Sequence, residues 1–302
     1  MRKFDILKYA FVFFSGMGAG IIGWSLFHKK SLSRTAGFFL GGIILGALFF
    51  VDIYWVEPNW IEVTTVEIHD LQLARSLKGL KIVQISDIHV NHGLGKREKE
   101  MVRMVNELHP DLILLTGDYF DSFDQVAPIV ELFKELKARI GIWGVPGNTD
   151  YISIDDSNKT ARLLQASGVR ILVNEAARIK TDRGYFWLIG VDENVYHHDR
   201  LSSALMGVPR NEPRVLLAHS PTIFDQAVRE EINLVLAGHT HGGQVGVPFL
   251  IELSKYANRT TYMRGLFEKG KTKLYVNRGI GMKTLPIRFL CRPEITVLKV
   301  DA

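Results

Sequence analysis

Two apolar runs open the chain. Residues 9–27, YAFVFFSGMGAGIIGWSLF, hold no charged side chain, and residues 36–51, AGFFLGGIILGALFFV, continue past Asp52 into IYWV. About 20 helical residues cross a bilayer core of roughly 30 Å. Both runs are long enough, and a hairpin of two transmembrane helices over about 9–27 and 36–56 is expected. Glycines at 16, 18, 20 and 23, and at 37, 41, 42 and 46, leave small faces for close helix approach. Trp24, Tyr54 and Trp55 fall near the ends, where interfacial aromatics are favoured. A cleaved signal peptide is the alternative for the first run, with Arg2, Lys3 and Lys8 ahead of it, but the small-residue cleavage pattern is missing and a second apolar run follows at once. Lys and Arg do not choose an orientation: three precede the first run, three sit in the loop, and none follows the second until Arg75. A membrane anchor over 1–60 and a second domain over 61–302 are expected.

From residue 80 the periodicity changes to short apolar runs bounded by turn residues. LKIVQIS (80–86), DLILLTG (111–117), IGIWGVPG (140–147), RVLLAHS (214–220) and INLVLAGH (232–239) predict buried strands. Helical periodicity over 96–108, 123–138 and 159–167 separates several of them. ARIKTDRGYFWLIGVDE (177–193) predicts a hairpin turning at Asp182 to Gly184, and KLYVNRG and EITVLKV add late strands. The expected fold class is α/β, with two facing sheets and helices outside.

Composition narrows the class without deciding it. The chain has 302 residues, 47% apolar and 23% charged, as a folded protein does. A net charge of +5 is mildly basic, and with no run of five or more like charges the pattern predicts no nucleic-acid partner. Basic residues late in the chain (Arg259, Arg264, Lys269, Lys271, Lys273, Arg278, Lys283, Arg288, Arg292) either face anionic headgroups or form a solvated rim. The stretch LPIRFLCRPEI places apolar side chains among cations, which suits a membrane interface. Cys291 is the sole cysteine, which excludes an intrachain disulfide and a cysteine metal knuckle.

The strand ends carry the chemistry. QISDIHV presents Asp87 and His89, LTGDYF Asp118, VPGNTD Asn148, LLAHSP His219, and LAGHTHGG His239 and His241. The carboxyl ends of strands in open α/β sheets are where sites collect. Any one of these is an ordinary turn or surface residue; a metal-capable group at each of five strand ends is not. Carboxylates, an amide oxygen and imidazoles without a thiolate suit Mn²⁺, Fe or Zn²⁺. In Asp-x-His and His-x-His on extended chain, residues i and i+2 point to one side and offer two donors to one locus. A pair of ions roughly 3.5 to 4 Å apart can hold both the attacking and the departing oxygen of a phosphoryl displacement. His28, His69, His109, His197 and His198 read as surface or packing residues.

In this order the fragments Asp-x-His (87, 89), Gly-Asp (117, 118), Gly-Asn (147, 148), His219 and Gly-His-x-His (238–241) resemble the calcineurin-like metallophosphoesterase superfamily over about residues 80–300. The resemblance implies a four-layer αββα sandwich, and two divalent metal ions with manganese foremost. One ion would be held by Asp87, His89, Asp118 and His241, the other by Asp118, Asn148, His219 and His239. A hydroxide between them would be the nucleophile, since a metal lowers the pKa of bound water from 15.7 to about 7. The string Gly-His-Thr-His-Gly-Gly-Gln behind a membrane anchor resembles the branch of bacterial membrane-associated phosphodiesterases and UDP-2,3-diacylglucosamine pyrophosphatases of lipid A synthesis. That branch implies an inner-membrane location, on either face, and a phosphorylated small molecule or lipid-linked nucleotide as substrate. Soluble phosphoesters, or a catalytically weak metal-binding scaffold, are the alternatives.

One departure stands out. Where the family usually has Gly-Asn-His-Asp or Gly-Asn-His-Glu, this chain reads Gly147, Asn148, Thr149, Asp150, and Asn148 and Asp150 are its candidate catalytic residues. The missing imidazole is the group usually credited with helping the leaving oxygen depart, and general acid help is worth typically 10² to 10⁴ in rate. A phosphoanhydride or another good leaving group would need it least. His92 supplying that proton from a neighbouring loop is the other possibility.

Overall fold

The structure, a computed structural model, describes residues 32–91 and 93–302. The expected first membrane helix at 9–27, His28 and His92 lie outside the described residues. Contacts divide the chain into a unit ending at Trp55 and a unit running from Val56 to Ala302.

In the first unit a helix spans Leu32–Val51 and widens into a π-type turn over Asp52–Val56. A 3₁₀ turn follows over Glu57–Asn59, where Pro58, lacking an N–H, closes the run. The stretch Phe39–Asn59 is long and apolar enough to cross a membrane, with mean hydropathy 2.0. Leu40, Leu45 and Leu48 stand exposed along it, as lipid-facing residues would.

The second unit holds two six-stranded sheets. The first has the order β1 (Glu62–His69), β12 (Glu294–Asp301), β2 (Ile82–Ile85), β3 (Leu112–Leu115), β4 (Gly141–Gly144), β5 (Val169–Ile171). The second has the order β10 (Gly265–Lys269), β11 (Thr272–Val276), β9 (Leu234–Ala237), β8 (Arg214–Leu217), β7 (Gly184–Gly190), β6 (Glu175–Thr181). Strands β2 to β5 are mutually parallel, as are β7, β8, β9 and β11. The 177–193 hairpin forms as β6 and β7.

Alternation along the four-residue strands sorts their side chains into layers. Val83, Ile85, Ile113 and Leu115 pack outward against Met101, Val105, Ile129 and Phe133 of the helices Lys96–Glu107 and Val126–Lys134. Ile82, Leu112 and Leu114 face Val215, Leu217, Leu234 and Leu236 between the sheets. Leu216 and Val235 pack on Phe224 and Ala227 of the helix Phe224–Arg229. The order is therefore helices, sheet, sheet, helices, the arrangement expected. Because both faces are covered, each of β2, β3, β8 and β9 is apolar throughout apart from Gln84 and Arg214. Gln84 donates to the Ala237 carbonyl at 3.0 Å across the sheets, which aligns the end of β2 with the end of β9.

Candidate metal centre

All seven donors lie just beyond the carboxyl ends of β2, β3, β4, β8 and β9. The backbone turns sharply there. Asp87, His89, Asp118, His239 and His241 all take φ between 50° and 69°. Such left-handed residues cost of order 1–3 kcal/mol each and persist where the surroundings over-determine them. Those surroundings are visible: Asp87 N–H donates to Gly117 O, His89 N–H to Asp118 O, and Gly281 N–H to Asp87 O. Two glycines permit the approach. A Cβ on Gly147 would stand 2.3 Å from the Asp118 amide nitrogen, and one on Gly238 would stand 1.9 Å from Ser86 Oγ.

The turns bring the donors into two adjoining groups. In one, His241 Nε2 lies 3.1 Å from His89 Nε2 and 3.4 Å from Asp87 Oδ1. In the other, His219 Nε2 lies 3.0 Å from Asn148 Oδ1 and 3.1 Å from His239 Nδ1. Asp118 Oδ2 stands between them, 3.3 Å from His89 Nε2 and 3.4 Å from His219 Nε2. The triads Asp87, His89, His241 and Asp87, Asp118, His219 each gather ligand atoms within 4.8 Å of one another. Six of the seven side chains are buried and His239 is half-buried.

Proton placement makes this a site for cations. His89 Nδ1 faces Asp121 at 2.6 Å, and His219 Nδ1 faces the Thr116 carbonyl at 2.8 Å. With Nδ1 set against these outer acceptors, Nε2 of each ring faces the centre, the arrangement that orients metal-binding histidines. Those Nε2 atoms face the Asp118 carboxylate, and without metal a proton shared between His219 and Asp118 holds the pair together. His241 Nδ1 is buried without a partner. A divalent ion at each group would take that proton's place, and the donor set fits Mn²⁺, Fe or Zn²⁺.

Without metal, the groups polarise one another. Burial alone would lower His219, but the Asp118 charge and hydrogen bond carry its imidazole up to about 10. Burial would raise Asp118, yet the His219 and His89 charges hold its carboxyl well below the usual range. Burial and the His219 charge push His239 down to about 3. Asp150 sits behind this layer, fully buried, accepting from the N–H groups of Gly147, Asp118, Tyr119 and Phe120. Burial and the Asp118 charge raise it to about 7.

A cleft of about 350 Å³ opens on Asp118, Asn148, His239 and His241 and is bounded by Gln244, Ser254, Asn258, Lys283 and Leu285. Among the described residues Lys283 is the only Lys or Arg on that lining.

Comparison with known proteins gives the family. The family model for calcineurin-like phosphoesterases matches residues 80–243, a stretch that holds all seven donors. The chain belongs to the calcineurin-like phosphoesterase family. A transmembrane protein with metallophosphoesterase domain from Bos taurus is 37% identical over 76% of this chain and 55% of its own length. The uncharacterized metallophosphoesterase YkuE of Bacillus subtilis is 32% identical over 74% of this chain and 80% of its own. Phosphodiesterase YaeI of Escherichia coli is 30% identical over 73% and 82%. The chain therefore spans about half the length of the bovine relative and most of the two bacterial ones. Family and donor set together make this domain a metal-dependent phosphoester hydrolase with divalent cations as cofactors.

Sequence reading missed some supports and misplaced others. Asp121 was not singled out, although its spacing after Asp118 carries it back to His89. Two of the basic residues expected either to face headgroups or to form a solvated rim do neither. Arg278 is bound to Glu294 and Glu62, and Arg288 is fully buried with the carbonyls of Arg278, Gly279, Gly281 and Cys291 as its acceptors. They knit the 278–291 loop under Asp87. His198 stacks on Tyr151 with ring centroids 4.3 Å apart, a packing role.

Proposed function

We propose that this protein is a membrane-anchored hydrolase of phosphoester or phosphoanhydride bonds using two divalent ions, Mn²⁺ foremost. Asp87, His89, Asp118 and His241 would hold one ion, and Asp118, Asn148, His219 and His239 the other. The observation that carries the reading is Asp118 Oδ2, within 3.4 Å of an imidazole nitrogen from each group. Bound ions supply a water of lowered pKa and positive charge opposite the phosphoryl oxygens.

The chain's own residues do the rest. Asn148 holds its oxygen between His219 and His239. Asp150 is a positioning residue: its carboxylate gathers the N–H groups of residues 118 to 120 and keeps Asp118 in its left-handed turn. Lys283 offers the cleft a cation for an anionic substrate. Thr149 offers no imidazole, and its hydroxyl is buried without a partner. A substrate whose leaving oxygen departs without protonation suits this arrangement, and a nucleotide-diphosphate lipid such as UDP-2,3-diacylglucosamine is one member of that class. Residues 1–60 would form the anchor, with spans at about 9–27 and 36–56, in a bacterial inner membrane. The helix reaching Asn59 and the bovine relative's name support that anchor.

Two other readings each have one supporting observation. The name of phosphodiesterase YaeI favours a broad phosphodiesterase on soluble substrates. Thr149 favours a weak metal-binding scaffold. Purified full chain with Mn²⁺, assayed on a nucleotide-diphosphate lipid, an alkyl phosphodiester and bis(p-nitrophenyl) phosphate, separates the three. We expect turnover of the anhydride and the nitrophenyl ester to exceed that of the alkyl ester. Equal or faster alkyl ester hydrolysis would remove the leaving-group argument, and bound metal without any turnover would favour the scaffold.

A further inference from the structure

The helix Pro248–Ala257 lies against the His241–Gly243 turn, yet none of its residues is buried. Ser254, Ala257 and Asn258 line the cleft. The opposite face is apolar and bare: Phe249 is 70% exposed, Leu253 54% and Tyr256 89%, at the i, i+4, i+7 spacing of one helical stripe. Leu285 on the cleft lining and Leu290, whose carbonyl lies against Gly246, are exposed as well. Apolar side chains thus rim the mouth of a polar site. Large exposed apolar patches rimmed by polar residues mark binding surfaces.

Chain continuity says what covers this one. The apolar run that can cross a membrane ends at Asn59. Glu57, two residues earlier, accepts from the N–H groups of Leu290 and Cys291 at 2.9 and 2.5 Å. Cys291 Sγ in turn donates to the His241 carbonyl at 3.3 Å. Gly246 N–H donates to the Phe289 carbonyl just before the helix begins. The chain therefore leaves the run beside Leu290, one step from a metal-ligand candidate. Lys283 and Arg259, both exposed at this rim, match anionic headgroups.

We propose that the exposed face of helix Pro248–Ala257, with Leu285 and Leu290, docks on the anionic bilayer that the anchor crosses, so that the cleft takes its phosphoester from the headgroup layer. The docking face stands on its own, and the headgroup substrate rests on the hydrolase reading. Hydrolysis would break one P–O bond of a lipid, the water's oxygen bonding to phosphorus, the departing oxygen leaving as its anion and the water's protons passing to solvent.

The test uses the full chain in vesicles of phosphatidylcholine and phosphatidylglycerol, with a nitroxide on Tyr256→Cys and, as control, on exposed Lys180→Cys of β6. Cys291 is buried and does not compete for label. At position 256 we expect collisions with oxygen to exceed those with a water-soluble nickel chelate, and the reverse at 180. Equal nickel access at both positions would overturn the proposal. So would dipolar broadening at 256, which would mean that a second copy covers the face. Turnover of bis(p-nitrophenyl) phosphate is read in parallel and should survive the combined Phe249→Ser, Leu253→Ser, Tyr256→Ser substitution. Absence of that turnover in the unsubstituted chain would sink the hydrolase reading, while the collision ratios still decide the docking face.

Discussion

Replacing Asp150 by asparagine separates a positioning role from a chemical one. Oδ2 accepts from Gly147 and Asp118 N–H at 2.9 Å each, and Oδ1 from Tyr119 and Phe120 N–H at 2.8 and 3.3 Å. Asparagine keeps one oxygen and turns an NH₂ toward the other two donors. A buried donor left unsatisfied costs about 1–3 kcal/mol, so two cost roughly 2–6 kcal/mol. The wild-type carboxyl, raised to about 7, is itself part-protonated at neutral pH without metal, which favours the lower half of that range. In a domain of this size 1 kcal/mol moves Tm by roughly 2–4 °C, so a fall of about 4–16 °C is expected by calorimetry. Metal affinity should fall with it, because Asp118 loses the donor pair that holds its turn. The sign in pH follows from the raised folded value. The group's stabilisation is complete below its unfolded pKa near 3.8 and is lost as pH climbs through 7. Metal-free wild type should therefore lose stability between pH 4 and 7 more steeply than the variant. An unchanged Tm combined with loss of one limb of the pH–rate profile would refute the positioning role and make Asp150 a proton-transfer group.

Three further outcomes follow from the same centre. His219 is protonated at pH 7.5 in the metal-free protein, since its imidazole is carried up to about 10, yet it must present a lone pair to bind; calorimetric Mn²⁺ titrations in HEPES and in Tris should show about one proton released, and buffer-independent heats would contradict this. Gly238→Ala puts a Cβ 2.3 Å from Asp87 Oδ2; overpacking costs typically 1–3 kcal/mol, so the fold should survive on a thermal melt while bound metal drops from two ions toward one. Lys283→Ala should lower kcat/KM about tenfold for an anionic substrate at low salt and less at high salt, and a salt-independent loss would place Lys283 outside the substrate's field.

Much of the fold was legible because the central strands are short, apolar and sharply ended. In β2, β3, β8 and β9 every residue is buried, so the point where apolarity stops is also where the side chain turns toward the site. Strands β1 and β10 escaped notice because they are edges, with solvent-facing polar residues such as Thr65, Glu67, Glu268 and Lys269 diluting the signal. The helix Pro248–Ala257 was missed for a different reason: its apolar residues face outward, and periodicity does not tell a core stripe from an interfacial one. Charge counting misled at Arg278 and Arg288, because composition registers a cation without saying whether carboxylates or carbonyls enclose it. The inward imidazole nitrogen also lay beyond sequence, since His239 turns Nδ1 and His241 turns Nε2 from positions two apart.

The account stands on two divalent ions sharing Asp118. Loading the full chain with Mn²⁺, counting metal per chain and recording the low-temperature electron paramagnetic resonance spectrum tests this directly. Two ions per chain with an exchange-coupled spectrum, lost in Asp118→Ala, are predicted. One ion per chain, or two that remain magnetically independent, would contradict it.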